Sequence, residues 1–158
     1  FYQTGTVRKA PVGAADVAIV RGLLDEIDPH LIFVAGDLSD PHGTHRMCKE
    51  AIDRALAERA AADPGRASPE VWLYRGAWQE WSVTEATWLV PLSQEELRLK
   101  IQAIFKHQSQ KDTAPFPGTD EREFWQRVEA RNKGTAEELN RLGLAEYFAI
   151  EAYMVAAR

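Results

Sequence analysis

His42 and His45 stand three positions apart, with Asp37 and Asp40 just upstream, in the run Gly36-Asp37-Leu38-Ser39-Asp40-Pro41-His42-Gly43-Thr44-His45. Imidazoles and carboxylates gathered within ten residues are the groups that ligate a divalent metal and move protons. At about 100° per helical residue, His45 falls within roughly 20° of Ile52 on a helix. Ile52 belongs to the apolar stripe Cys48, Ala51, Ile52, Ala55 and Leu56. His45 is therefore expected to point inward from the top of its helix, with His42 close by on the first turn. Two imidazoles flanked by carboxylates fit a catalytic metal site that keeps an open position. The free N–H groups of the first turn would also favour an anion or a developing negative charge. The competing reading is structural: a bare HxxH has little specificity, and the same side chains could cap the helix and bond to its loop.

Other candidates carry weaker signals. Arg75 follows an expected strand, and Trp78 and Trp81 beside it could line a sugar or phosphate pocket or could simply pack. His107 ends an expected helix, where a cation suits the dipole. Cys48 could be a soft ligand, but a lone cysteine on an apolar helix face is usually core. His30, after Pro29, reads as a structural surface residue. Glu121, Arg122, Glu123, Arg127, Glu129 and Arg131 read as a solvated helix face with i,i+4 pairs.

The elements that must position these groups follow from periodicity. Residues 13–27 carry apolar positions at helical spacing, and Asp28-Pro29 ends that helix. The run 31–35 is continuously apolar and suits a strand buried on both faces, as in a parallel sheet. Asp40-Pro41 reads as an N-cap followed by proline at the first helical position, opening a helix to about residue 62. Strands are expected at 71–74 and 86–92, separated by a tryptophan-rich loop at 76–82. Ser93 with Glu96 has capping-box spacing and opens a helix to about residue 108. A proline-containing loop covers 113–118, and the longest helix covers 120–142. The tail at 147–155 alternates as a strand does, although its alanines also allow a helix. Helices alternating with buried strands predict an α/β layer architecture with a mainly parallel sheet. In such sheets ligands bind beyond the carboxyl ends of the strands, where 36–45 falls.

Composition narrows the function classes. At roughly 150 residues per domain, 158 residues predict one domain. Nineteen basic and 24 acidic side chains give −5, which argues against a nucleic-acid footprint or a polybasic membrane arm. Hydrophobic residues at 45% and charged ones at 27% suit a folded globular domain. No apolar run approaches a membrane span. One cysteine excludes an intrachain disulfide, so a reducing, cytoplasmic compartment is expected. The opening Phe1-Tyr2-Gln3 has no initiator Met and no signal-peptide pattern, which predicts the interior of a longer protein. A parallel sheet lacking its first units would expose an apolar edge, so a homo-oligomer is expected.

Asp40-Pro41-His42-Gly43-Thr44-His45, joined with Lys106-His107-Gln108-Ser109-Gln110, resembles the C-terminal half of a PIG-L/LmbE-type deacetylase. The longer segments 35–45, 72–78 and 104–112 resemble the C-terminal extension of glucosamine-6-phosphate deaminase fusion proteins. In those, a NagB-like deaminase domain precedes a PIG-L/LmbE-like one. The resemblance spans nearly the whole chain. It implies a Rossmann-like three-layer α/β sandwich, incomplete at its N-terminal side, with 1–158 as the C-terminal portion of one domain. It also implies zinc-dependent hydrolysis of an N-acetyl group from an amino sugar or amino-sugar phosphate.

By position, the resemblance makes His45 a metal ligand and His42 the group that stabilises the oxyanion. It places His107, Ser109 and Gln110 near the site. Zinc would lower the pKa of bound water from near 16 to ~7. A carboxylate would take its proton, and an oxyanion donor is typically worth ~3 kcal/mol. Two departures stand out. Thr44 occupies the place where many members carry an acidic residue, for which Asp37 or Asp40 could substitute. The family's early His-Pro-Asp-Asp segment, source of two zinc ligands and the base, is absent from these residues. The alternative implied is a degenerate domain that serves assembly or regulation of the deaminase.

Overall fold

A computed structural model describes residues 10–36, 43–75, 79–108, 122–143 and 145–157. Eight elements occur among them: α1 (Ala14–Ile27), β1 (Leu31–Ala35), α2 (Thr44–Ala62), β2 (Glu70–Tyr74), β3 (Trp88–Leu92), α3 (Gln94–Ile104), α4 (Phe124–Asn140) and β4 (Ala149–Val155). The chain forms two compact units, Phe1–Val71 and Trp72–Arg158.

In the first unit, α1 opens on Gly13, whose N–H donates to the Asp16 carboxylate at 2.8 Å. It stops at Asp28, which turns left-handed at φ 46° and returns its N–H to the Leu24 carbonyl. Aspartate tolerates that conformation better than most residues, and Pro29 forbids continuation. Val17 and Leu24 of α1 close on Ala55 of α2, with Val12, Val20, Ile32 and Leu56 packed around them. Arg59, buried, reaches from α2 to Asp28 and Asp25 at the end of α1. Arg66 joins the same two carboxylates at 2.8 and 3.3 Å. The Glu70 N–H donates to the His30 carbonyl at 2.9 Å, tying the start of β2 beside β1.

In the second unit, β4 lies between β2 and β3 and runs antiparallel to both. Strand order over the chain is β1-β2-β4-β3. Two of its three pairings are thus antiparallel, and the expectation of a mainly parallel sheet is corrected: the sheet is open and mixed. The physical cause is the tail, whose alternating residues form a strand that inserts between β2 and β3 rather than extending one edge. Ala149, Ile150 and Ala152 are fully buried, as a central strand requires. β3 takes an outer place, where Pro91, lacking an N–H, is tolerated. Helix α4 runs unbroken through Gly134 and buries Val128, Asn132, Thr135 and Ala136. Helix α3 is capped as expected: Ser93 Oγ accepts from the Glu96 N–H at 3.2 Å, and the Glu96 carboxylate accepts from the Ser93 N–H at 2.7 Å. It ends at Ile104, four residues before the expected limit.

Candidate functional site

The histidine segment is described only in part. Asp37, Asp40 and His42 lie outside the described residues, as do Trp78, Ser109 and Gln110. Helix α2 starts at Thr44, on Gly43 as its N-cap at φ 66°, and not at the expected Asp40-Pro41. Glycine suits that left-handed corner, where a Cβ would also lie 3.1 Å from Arg46 Nη2. His45 therefore occupies the first turn of α2, and it is exposed, as is Cys48. The expected inward orientation is corrected. The helical wheel placed His45 on the right stripe, but α1 and β1 cover that stripe only from Ala51 onward, burying Ala51, Ala55 and Arg59. Among the described residues no group of three or more His, Cys, Asp or Glu side chains could hold a metal ion.

The second unit holds Arg75 and His107. His107 is exposed just past α3, its N–H donating to the Ile104 carbonyl at 2.9 Å. Arg75 directly follows β2, at the carboxyl end of that strand. Its guanidinium carbon lies 4.2 Å from the centre of the Trp81 ring, a cation–π contact. Its Nη1 donates to the Glu80 carbonyl at 3.4 Å, while its Nε is buried with no acceptor. Trp81 is pinned in turn, its indole N–H donating to the Leu73 carbonyl at 2.8 Å.

Behind this loop is a buried polar network that the sequence reading missed. Arg131 Nε stands 3.3 Å from a Glu80 carboxylate oxygen. Asn132, fully buried, donates to the Ile150 carbonyl at 2.9 Å and to Glu80 at 3.5 Å. Lys100 Nζ donates to Asn132 Oδ1 at 2.9 Å and to Glu151 at 2.6 Å. Burial pushes the Glu80 carboxyl up, against the pull of Arg131. It pushes the Lys100 ammonium down, against Glu151. Burial beside Glu151 raises the Tyr153 phenol as well. Two cations face two carboxylates, so the network is balanced in charge. Arg131 therefore leaves the solvated helix face expected for it, while Lys133 and Glu129, paired at 2.8 Å, keep the i,i+4 pattern. The signal was available in the spacing. Lys100 lies on the stripe of Leu97, Ile101 and Ile104, and Asn132 on that of Val128 and Ala136.

Over 155 residues the chain is 54% identical to a protein of Bacteroides thetaiotaomicron named "Putative glucosamine-6-phosphate deaminase-like protein". The match takes in 98% of this chain and 23% of that relative. The chain thus spans less than a quarter of the length of the curated protein it resembles. No protein-family model matches it. Among the described residues no helix is long and apolar enough to cross a membrane.

Proposed function

We propose that this chain is part of a metal-dependent amino-sugar N-deacetylase-like hydrolase domain, attached in a longer protein to a glucosamine-6-phosphate deaminase and acting in amino-sugar metabolism. The observation that carries the reading is the 54% identity, over nearly the whole chain, to a much longer protein named as deaminase-like. The motif resemblance at 40–45 and 106–110 supplies the deacetylase half. One domain would free the amine and the other would remove it as ammonia. In this reading the strands belong to a Rossmann-like three-layer sandwich of PIG-L/LmbE type. The ligand is an amino sugar or its phosphate, the protein assembles as a homo-oligomer, and its compartment is the cytoplasm.

Zinc is the metal that the resemblance implies. A catalytic zinc takes three protein ligands, and the described residues supply one member of the implied set, His45. They do not by themselves fit the ion. What the chain would contribute is the His45 imidazole, His42 as oxyanion donor, and Asp37 or Asp40 as the orienting carboxylate. Arg75, Trp78 and His107 would contact substrate. The test is acetate release from N-acetylglucosamine 6-phosphate by the full-length protein, before and after chelation and with zinc restored. Folded protein that holds no zinc and releases no acetate removes the hydrolase reading and leaves the assembly or regulatory one, which Thr44 at the usual acidic position favours.

A further inference from the structure

We propose that the outward side of α1 is a docking surface, and that its occupant is an apolar face of another part of the same longer polypeptide, outside these 158 residues. The occupant rests on the function proposed above only in taking this chain as part of a longer protein. The argument begins with the helix itself. α1 buries Val17 and Leu24 beside Ala55 of α2, and a helix apolar on one side normally turns charge to water on the other. Its neighbour does so: α2 exposes Glu50, Asp53, Arg54 and Glu58. The outward side of α1 instead carries Ile19, Leu23 and Ile27, spaced by four, and they are 62%, 51% and 67% exposed. Beside that ridge Ala18 and Gly22 are exposed as well. A Cβ added at Gly22 would meet nothing within 4 Å, so a second element can approach closely there. The charges on that side are Asp16, whose carboxylate accepts from the Gly13 N–H, and Glu26. A helix apolar on opposite sides is one that lies between two packed layers.

Area, tethering and charge select the occupant. Fourteen residues at a 1.5 Å rise make α1 about 21 Å long and a helix is about 10 Å across, so the face covers roughly 200 Å² in plan. Even twice that is about half of the ~800 Å² that each partner of a stable complex buries. A second copy docked on α1 alone would therefore not hold. A partner on the same polypeptide needs less area, because a tether supplies an effective concentration in the millimolar range. The matched 155 residues are 23% of the relative, so most of that polypeptide lies outside the match and can supply such a partner. Charge agrees. Asp16 and Glu26, on a chain of net charge −5, repel an anionic lipid surface. They fit an apolar protein face rimmed by Lys or Arg.

The test uses the full-length protein. Hydroxyl-radical oxidation of Ile19, Leu23 and Ile27 is followed by mass spectrometry in the native and the urea-unfolded states. Their exposures alone would slow native oxidation only about twofold. Side chains in the core of a contact are fully buried and should slow about 10-fold or more. The occupant is then identified with Leu23→p-benzoylphenylalanine, irradiated and digested, while the footprint of the unsubstituted protein reports the contact with no added bulk. The expected results are a slowing of about 10-fold and a cross-link, within one polypeptide on a denaturing gel, to a peptide outside these 158 residues. A slowing of only about twofold means an uncovered face and overturns the proposal. A cross-link that doubles the mass means a second copy, and one to a peptide within 1–158 means that this chain covers itself; either overturns it. Acetate release by protein whose Leu23 is unprotected refutes the docking surface and spares the hydrolase reading. A protected, cross-linked Leu23 in protein that releases no acetate does the reverse.

Discussion

Asn132→Ala tests whether the buried network of the second unit is a structural necessity. Asn132 has no exposed surface. Its amide donates to the Ile150 carbonyl at 2.9 Å and accepts from the Lys100 ammonium at the same distance. Ile150 is itself buried in the central strand, and the asparagine gives its carbonyl a donor. Alanine would leave a buried carbonyl without its partner and a buried ammonium with one acceptor fewer. Each such loss costs roughly 1–3 kcal/mol, so a total of about 3 kcal/mol is expected, a large share of the ~5–15 kcal/mol that holds a typical domain together. All five tryptophans lie at or beyond residue 72, so urea unfolding followed by tryptophan emission reports on this unit. The double variant with Lys100→Met should show a coupling above about 1 kcal/mol. A loss below about 1 kcal/mol, or strict additivity with Lys100→Met, would refute the reasoning.

Three further perturbations have defined outcomes. Ser93→Ala removes the cap of α3 and should destabilise the same transition by about 1 kcal/mol, read as a lower urea midpoint with an unchanged slope. Hydrogen bonds from Arg66 and Arg59 hold the Asp28 carboxyl below its ordinary value of 3.8. Its contribution is therefore complete above 3.8 and is lost as pH falls through the lowered folded-state value. Asp28→Asn should be less stable than wild type near neutrality, with the gap closing in acid; hydrogen exchange of α1 amides reads this out. Glu80 has the opposite sign, because burial raises its carboxyl above 4.5. The folded state holds its proton longer than the unfolded one, so stability declines as pH rises through the window above 4.5. Glu80→Gln should flatten that slope in pH-dependent urea melts.

The sequence made some of this fold legible because local chemistry decided it. Asp28-Pro29 marks the end of α1 to the residue, and the Ser93–Glu96 box marks the start of α3. The alternation of Ala149, Glu151, Tyr153 and Val155 shows a strand, and β4 is one. Its place is a different matter. Nothing local says that the tail inserts between β2 and β3, so the reading of a mainly parallel sheet failed. The same limit applies to His45. A helical wheel ranks faces but does not say how far a neighbour extends along them, and the buried residues of α2 begin at Ala51, nearly two turns beyond that imidazole. Arg131 failed the other way: charged spacing suggested a solvated face, while Glu80, some fifty residues upstream, draws it inward. Arg75 and Trp81, read as neighbours that could line a pocket or simply pack, do meet in a cation–π contact, which both readings allow.

The most direct test of the central claim is acetate release from N-acetylglucosamine 6-phosphate by full-length wild type and by His45→Ala, with bound zinc counted in both. His45 is exposed on the first turn of α2, so the substitution leaves the packing of α1 against Ala55 intact. The account predicts that wild type releases acetate and that His45→Ala keeps its fold while losing both zinc and activity. A folded His45→Ala protein that binds zinc and releases acetate at the wild-type rate would contradict it.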